Sequence, residues 1–191
     1  MSEYDLYKEI EKFVPFNEQE ETDKKILLEL LSNGEDILHR ENLRYHLTSS
    51  AWITSYDRKK ILLAYHNIYD SWSWLGGHAD GESDLRKVAL KEVQEESGIT
   101  HARLLSDDIF SLEILTVDGH EKRGKYVPSH LHLNLTYLME ADPEDPLFIR
   151  EDENSAVAWF PLEESVDASS EKWMRERIYS KLNAKLSAYK F

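Results

Sequence analysis

Residues 76–99 read Gly-Gly-His-Ala-Asp-Gly-Glu-Ser-Asp-Leu-Arg-Lys-Val-Ala-Leu-Lys-Glu-Val-Gln-Glu-Glu-Ser-Gly-Ile. Glycines stand at both ends, and the stretch from about Asp84 to Ser97 predicts a helix stopped by Gly98. At about 100° per residue, Leu85, Val88 and Ala89 line up as an apolar stripe suited to packing on strands. Glu92 falls on the same stripe, and Glu95 and Glu96 follow three and four residues later, so the three carboxylates turn the same way. The inward face therefore changes from apolar to triply acidic. Like charges on a half-buried face repel one another and lose hydration. A bound cation relieves both problems, and hard carboxylate oxygens suit Mg²⁺ or Mn²⁺. A solvated acidic face is the plainer reading of Glu-x-x-Glu-Glu alone; the glycines at either end of the loop–helix unit favour the metal.

Working outward, the chain divides by texture. Residues 3–13 predict a short helix with Leu6, Ile10 and Phe13 at helical spacing, broken by Pro15. Asn17 and Glu20 predict a capping box for a second helix over 18–32, with Gly34 as its C-terminal stop. From about residue 45 strands take over, over 46–55 and 60–66 with Tyr56-Asp57 as the turn, then 108–117, 130–140 and 155–160. Residues 118–128 predict a long polar loop. A closing helix is expected over 169–188, with Trp173, Ile178, Leu182 and Leu186 on its inner side. The sum is a mixed α/β arrangement with antiparallel strands.

Bulk properties bound the function. The 191 residues carry 23 Lys+Arg against 37 Asp+Glu, a net charge of −14. Such a field disfavours long nucleic acid, whose affinity comes largely from phosphate neutralisation. A small phosphorylated ligand remains compatible, because a metal ion supplies local positive charge. The absence of cysteine excludes disulfides, thiolate metal sites and a cysteine nucleophile. No apolar run approaches the length of a membrane span and none follows the acidic N-terminus, so a cytoplasmic protein is expected.

Gly77 to Ile99 resembles the signature box of the Nudix hydrolases, G-x5-E-x7-R-E-U-x-E-E-x-G-U with U aliphatic. Gly77, Glu92, Val93, Glu95, Glu96, Gly98 and Ile99 match at the family spacing. Lys91 stands at the arginine position, and Ser83 at the first glutamate position, with Glu82 one residue early. Lys91 lies four residues before Glu95 and can partly substitute, without the planar fork of an arginine. The loop can run a different course that brings Glu82, Asp80 or His78 into the vacant role. The resemblance implies a Nudix-type α/β/α sandwich with a mixed sheet over residues 45–191, preceded by a helical extension over 1–44. That extension is left between a dimer interface (a homodimer), a lid, and a cover for one edge of the sheet.

The resemblance also implies an activity: a metal-dependent pyrophosphohydrolase cleaving a nucleoside diphosphate linked to another group, with Mg²⁺ or Mn²⁺ as cofactor. Glu92, Glu95 and Glu96 match the metal-holding positions, and the carbonyl of Gly77 often joins them. Glu95 is either a ligand or a base, and Glu153 is the distant alternative for the base. His78, in the box loop, the strand neighbours His130 and His132, and Lys91 are candidate substrate contacts. For the histidines, hydrogen-bonded burial is the competing reading. Trp72 and Trp74 read as core rather than as a base-stacking pair, and His120, Lys122, Arg123 and Lys125 as a solvated tip rather than a phosphate contact. Two other functions compete: a Nudix-like nucleotide sensor without turnover, and an isopentenyl-diphosphate-isomerase-like enzyme. The latter shares the scaffold but relies on a cysteine that this chain lacks.

Overall fold

The computed structural model describes residues 6–122, 124–149 and 154–190, and of Lys122 the backbone alone. Residues 1–5, 123, 150–153 and 191 lie outside the described residues, and with them the expectations placed on Glu153 and Arg123. The chain forms two compact units: residues 1–50, 76–89 and 107–137 in the first, and 51–75, 90–106 and 138–191 in the second. The class is the expected α+β one, with a mixed sheet and helices.

The first unit begins with α1 (Leu6–Lys12) and α2 (Glu18–Ser32). Asn17 caps α2 by accepting from the Glu20 backbone N–H at 3.0 Å. Glu20 reaches back to the Phe16 N–H at 2.7 Å, one residue beyond the usual capping-box partner. At the other end Gly34 adopts φ +68°, its N–H bonding Leu31 and that of Glu35 bonding Leu30. This is the paired 5→2 and 6→1 closure that glycine permits. Strand β1 (Tyr45–Ser55) starts in this unit, β4 (Leu75–His78) ends in it, and β6 (Ser111–Val117) runs antiparallel to β9 (His130–Ala141).

Helix α2 lies along the edge of β6. Gln19 donates to the Leu112 carbonyl at 3.1 Å, and the Ile114 N–H donates to Asp23 at 3.0 Å. Side chains thereby take ladder bonds that another strand would otherwise make, and the edge is closed to further pairing. Of the three roles left open for the N-terminal helices, edge cover is the one this contact realises. Where a loop was expected over 118–128, β7 (His120–Lys122) pairs antiparallel with β8 (Lys125–Val127). Gly124, just before β8, has φ +72°. Alternation in so polar a stretch carries no apolar signal, which is why the pattern read as loop.

In the second unit, the end of β1 pairs antiparallel with β2 (Lys60–His66), which pairs on with β10 (Asn154–Pro161) and with the short β3 (Ser71–Ser73). The two-residue β5 (Arg103–Leu104) pairs with the end of β9. Helix α4 (Leu162–Ala168), absent from the sequence expectation, precedes a π-helical turn, Met174–Tyr179, that runs into α5 (Ser180–Ala188). Tyr179 anchors that C-terminal helix, stacking on Trp52 at 5.4 Å and meeting Trp74 edge-on at 5.6 Å. Trp72 packs edge-on against Phe160 and Tyr65; both tryptophans are half-buried against other aromatic rings and not in the fully buried core that was expected.

Trp173, expected on the inner side of the closing helix, is 61% exposed, under the Arg177 guanidinium, whereas Ile178, Leu182 and Leu186 are buried. Five residues separate it from Ile178, while the buried stripe repeats every four. No described helix is long and apolar enough to cross a membrane.

Gly76 sits where a side chain has no room: a Cβ would lie 2.5 Å from the Ser49 carbonyl oxygen and 2.8 Å from Ser50 Cα. Because these are backbone atoms of a neighbouring strand, they cannot swing aside. Gly76→Ala is expected to destabilise the protein by about 1–3 kcal/mol, read from the urea midpoint at unchanged m-value.

Candidate functional site

Helix α3 (Leu85–Ser97) forms as the box predicts, and its inward stripe is confirmed by burial of Leu85, Val88, Ala89 and Val93. The carboxylates divide. Glu92 and Glu96 are only 8% and 4% exposed, whereas the Glu95 side chain keeps 37% of its surface. Helical geometry accounts for the split: Glu96 lies about 40° round from Glu92 on one side and Glu95 about 60° on the other, toward the rim. Lys91 Nζ stands 3.5 Å from Glu95 and 3.8 Å from Glu92. It braces the two where the family pattern has arginine, but from a 65% exposed position where ion pairs contribute little.

Glu96 meets a partner from β10. Asn154 Nδ2 donates to Glu96 Oε1 at 3.0 Å, and the asparagine is wholly buried. A β-bulge between Asn154 and Ala156 shifts the register against β2, and such bulges re-aim a side chain. The other amide atom, Asn154 Oδ1, is buried with no hydrogen-bond partner. A buried carbonyl oxygen without a donor, beside a carboxylate that is almost wholly buried, suits a hard cation or the water it carries. Sequence reading missed Asn154 because it lies one residue past Glu153. The signal available was an asparagine opening a strand that is mostly apolar after Ser155.

The loop half of the box, in the first unit, explains the slipped glutamate. Asp80 and Gly81 have φ of +46° and +92°, and the Glu82 N–H bonds the Ala79 carbonyl at 2.9 Å, a type I′ turn on Asp-Gly. The turn presents Glu82 to the start of α3, where its Oε1 accepts from the Asp84 N–H at 2.9 Å. Asp80 pairs with Arg40. Asp84 also meets Arg86 at 2.8 Å; burial raises its pKa, but the Arg86 hydrogen bond and the charges of Arg86 and Lys87 outweigh that and hold it below the usual carboxylate range. Gly77 lies in β4, in the same unit.

His78, His130 and His132 come together, and a fourth imidazole that sequence reading did not single out joins them. His46 stacks on His130 at 4.8 Å and lies 5.1 Å from both His78 and His132. His78 and His132 are 5.0 Å apart, as are His130 and His132. Burial, and then the charge of the surrounding imidazoles, push the His132 pKa down to about 2. Burial likewise lowers His46, against a hydrogen bond to the Asn42 carbonyl. Both rings are neutral at physiological pH. His120 stands further off, 6.5 Å from His130.

A NUDIX domain model matches residues 44–181. The chain belongs to the NUDIX family. It shares its fold with the C. elegans Ap4A hydrolase, solved as a binary complex, at TM-score 0.54 and 22% identity over 74% of this chain and 95% of that one. A Nudix hydrolase from M. smegmatis gives TM-score 0.54 at 10% identity over 76% and 88%. The E. coli dihydroneopterin triphosphate pyrophosphohydrolase gives 0.52 at 14% over 71% and 92%. No curated protein matches the chain by sequence. Membership places this NUDIX chain among hydrolases of pyrophosphate bonds.

The Asn154 bond to Glu96 yields a stability test. Asn154→Asp sets a second carboxylate against the first and is expected to cost about 1–3 kcal/mol at neutral pH. Crowding raises the folded-state pKa of the new carboxyl. The deficit therefore shrinks as pH falls through that pKa, where the protonated group can donate to Glu96. Urea unfolding at a series of pH values reads both effects.

Proposed function

We propose that this NUDIX protein is a divalent-metal-dependent pyrophosphohydrolase that cleaves the diphosphate linkage of a small nucleoside diphosphate joined to another group. The observation that carries the reading is the pair Glu92 and Glu96, nearly buried on one helix face, with Glu96 held by Asn154 and the Asn154 Oδ1 left without a donor. Glu92 and Glu96 are the proposed holders of Mg²⁺ or Mn²⁺, with Asn154 orienting Glu96. When bound, such a cation neutralises charge developing on the phosphoryl oxygens.

Glu95 is assigned the proton-accepting role. Of the three α3 glutamates Glu92, Glu95 and Glu96, it is the one that keeps contact with water, and a base must reach the attacking water's proton. Lys91, beside Glu92 and Glu95, stays mobile enough to meet an incoming phosphate. The net charge of −14 favours a small substrate over a polyanion.

The test is a screen of nucleotide diphosphate compounds with Mg²⁺ or Mn²⁺, reading released phosphate or monophosphate. On the best substrate, Glu96→Gln is expected to lower kcat/KM at least about 100-fold without unfolding, since partners of a bound metal are felt on that scale. Wild-type turnover in this variant would sink the metal role of the box helix. Glu95→Gln is expected to lower kcat with KM nearly unchanged, and equal loss of Mg²⁺ affinity would reassign Glu95 as a ligand. Tight binding of one compound with no turnover of any would favour the sensor reading.

A further inference from the structure

Two imidazoles of the His46–His130–His132 cluster turn their Nδ1 atoms to backbone carbonyls. His46 Nδ1 lies 3.1 Å from the Asn42 carbonyl, and His130 Nδ1 lies 2.8 Å from the Pro128 carbonyl. A carbonyl only accepts, so each Nδ1 carries a proton, and Nε2 is the nitrogen each ring can offer to a metal. On His46, which is 4% exposed, that Nε2 is buried with no hydrogen-bond partner. His130 Nε2 faces His132 Nε2 at 3.2 Å. One ring nitrogen from each of His46, His130 and His132 lies within 4.8 Å of the other two.

We propose that His46, His130 and His132 form a three-imidazole site for a borderline transition-metal ion, best fitted by Zn²⁺, chemically distinct from the box carboxylates. Metal-bound histidines commonly donate their other nitrogen to a backbone carbonyl, which fixes the tautomer and aims the ring. Asn42 and Pro128 do that here. At a Zn–N length of about 2.0–2.1 Å, two ligands of a tetrahedral ion stand about 3.3–3.4 Å apart. The 3.2 Å between His130 and His132 matches that edge, and the 4.8 Å limit on the other sides leaves each to shorten by at most about 1.5 Å around an ion.

The chemistry of the set selects the ion. Neutral imidazole suits Zn²⁺ and its neighbours, whereas Mg²⁺ prefers oxygen. A phosphate subsite would need N–H groups aimed inward, and the Nδ1–H groups of His46 and His130 are spent on carbonyls. His78 walls the cluster, leaving the fourth position to water or an incoming ligand.

The inference does not depend on the diphosphate reading, and its test reads binding alone. Zn²⁺ is titrated calorimetrically into the full chain carrying Glu96→Gln, in a large excess of Mg²⁺. One equivalent is expected to bind, with affinity falling at least about 100-fold on adding His46→Gln or His132→Gln. Zn²⁺ should raise the Tm of the wild type, and not of the histidine variants. A Co²⁺ titration of the wild type guards against misfolded variants: intense tetrahedral d–d absorption is expected, and a weak octahedral spectrum overturns the proposal. So do the absence of Zn²⁺ binding, histidine variants that bind like their parent, or binding that disappears on replacing Glu92 and Glu96 alone.

Discussion

A carboxylate inside a protein must be met by donors or by a cation, and Glu96 sets that demand for the second unit. It rides on a helix whose neighbouring inward residues are apolar, so the helix cannot turn it outward without exposing Val93. The answer comes from β10. A bulge re-aims Asn154, and the long antiparallel pairing of β10 with β2 holds that bulge in place. Tyr179, stacked on Trp52, fixes the C-terminal helix in the same unit. The amide satisfies one oxygen of Glu96 and leaves its own oxygen without a hydrogen-bond donor, the observation on which the proposed cation site rests.

The first unit solves the opposite problem. Two of its gathered imidazoles, His46 and His132, are held below the usual histidine range, chiefly by burial. Backbone carbonyls hold the Nδ1–H of His46 and of His130, which leaves their Nε2 atoms to the cluster, where His130 and His132 share one hydrogen bond. Carboxylates on a helix and imidazoles on strands are hard and borderline donors respectively, and a chain holding both can discriminate metals by ligand chemistry. The type I′ turn at Asp80-Gly81 also shows why the box departs from its family pattern: Glu82 is spent on starting α3.

Much of the fold was legible because its signals are local. The Asn17 cap, the Gly34 and Gly98 stops, and the β-branched and aromatic content of β1 and β2 are read from residues close together in sequence. Helix α3 appeared where its 3.6-residue stripe required. The misses have physical reasons. Strands β7 and β8 are three residues each and mostly polar, too short to show an alternating pattern. The two- and three-residue strands β5 and β3 are too short to carry a pattern. Trp173 was drawn onto the inner stripe because it is apolar, yet it stands five residues from Ile178 and faces solvent.

By itself the sequence determined the family, the acidic helix and the residue types available for metal chemistry, because spacing along one helix is enough to place Glu92, Glu95 and Glu96. Only the tertiary structure decided which of them are buried, that Asn154 serves Glu96, and that His46 joins His78, His130 and His132. Those outcomes depend on a bulge and on strands distant in sequence, and no local periodicity encodes either. The positions of lone pairs, which separate an imidazole metal site from a phosphate contact, were set by two backbone carbonyls that side-chain identities do not reveal.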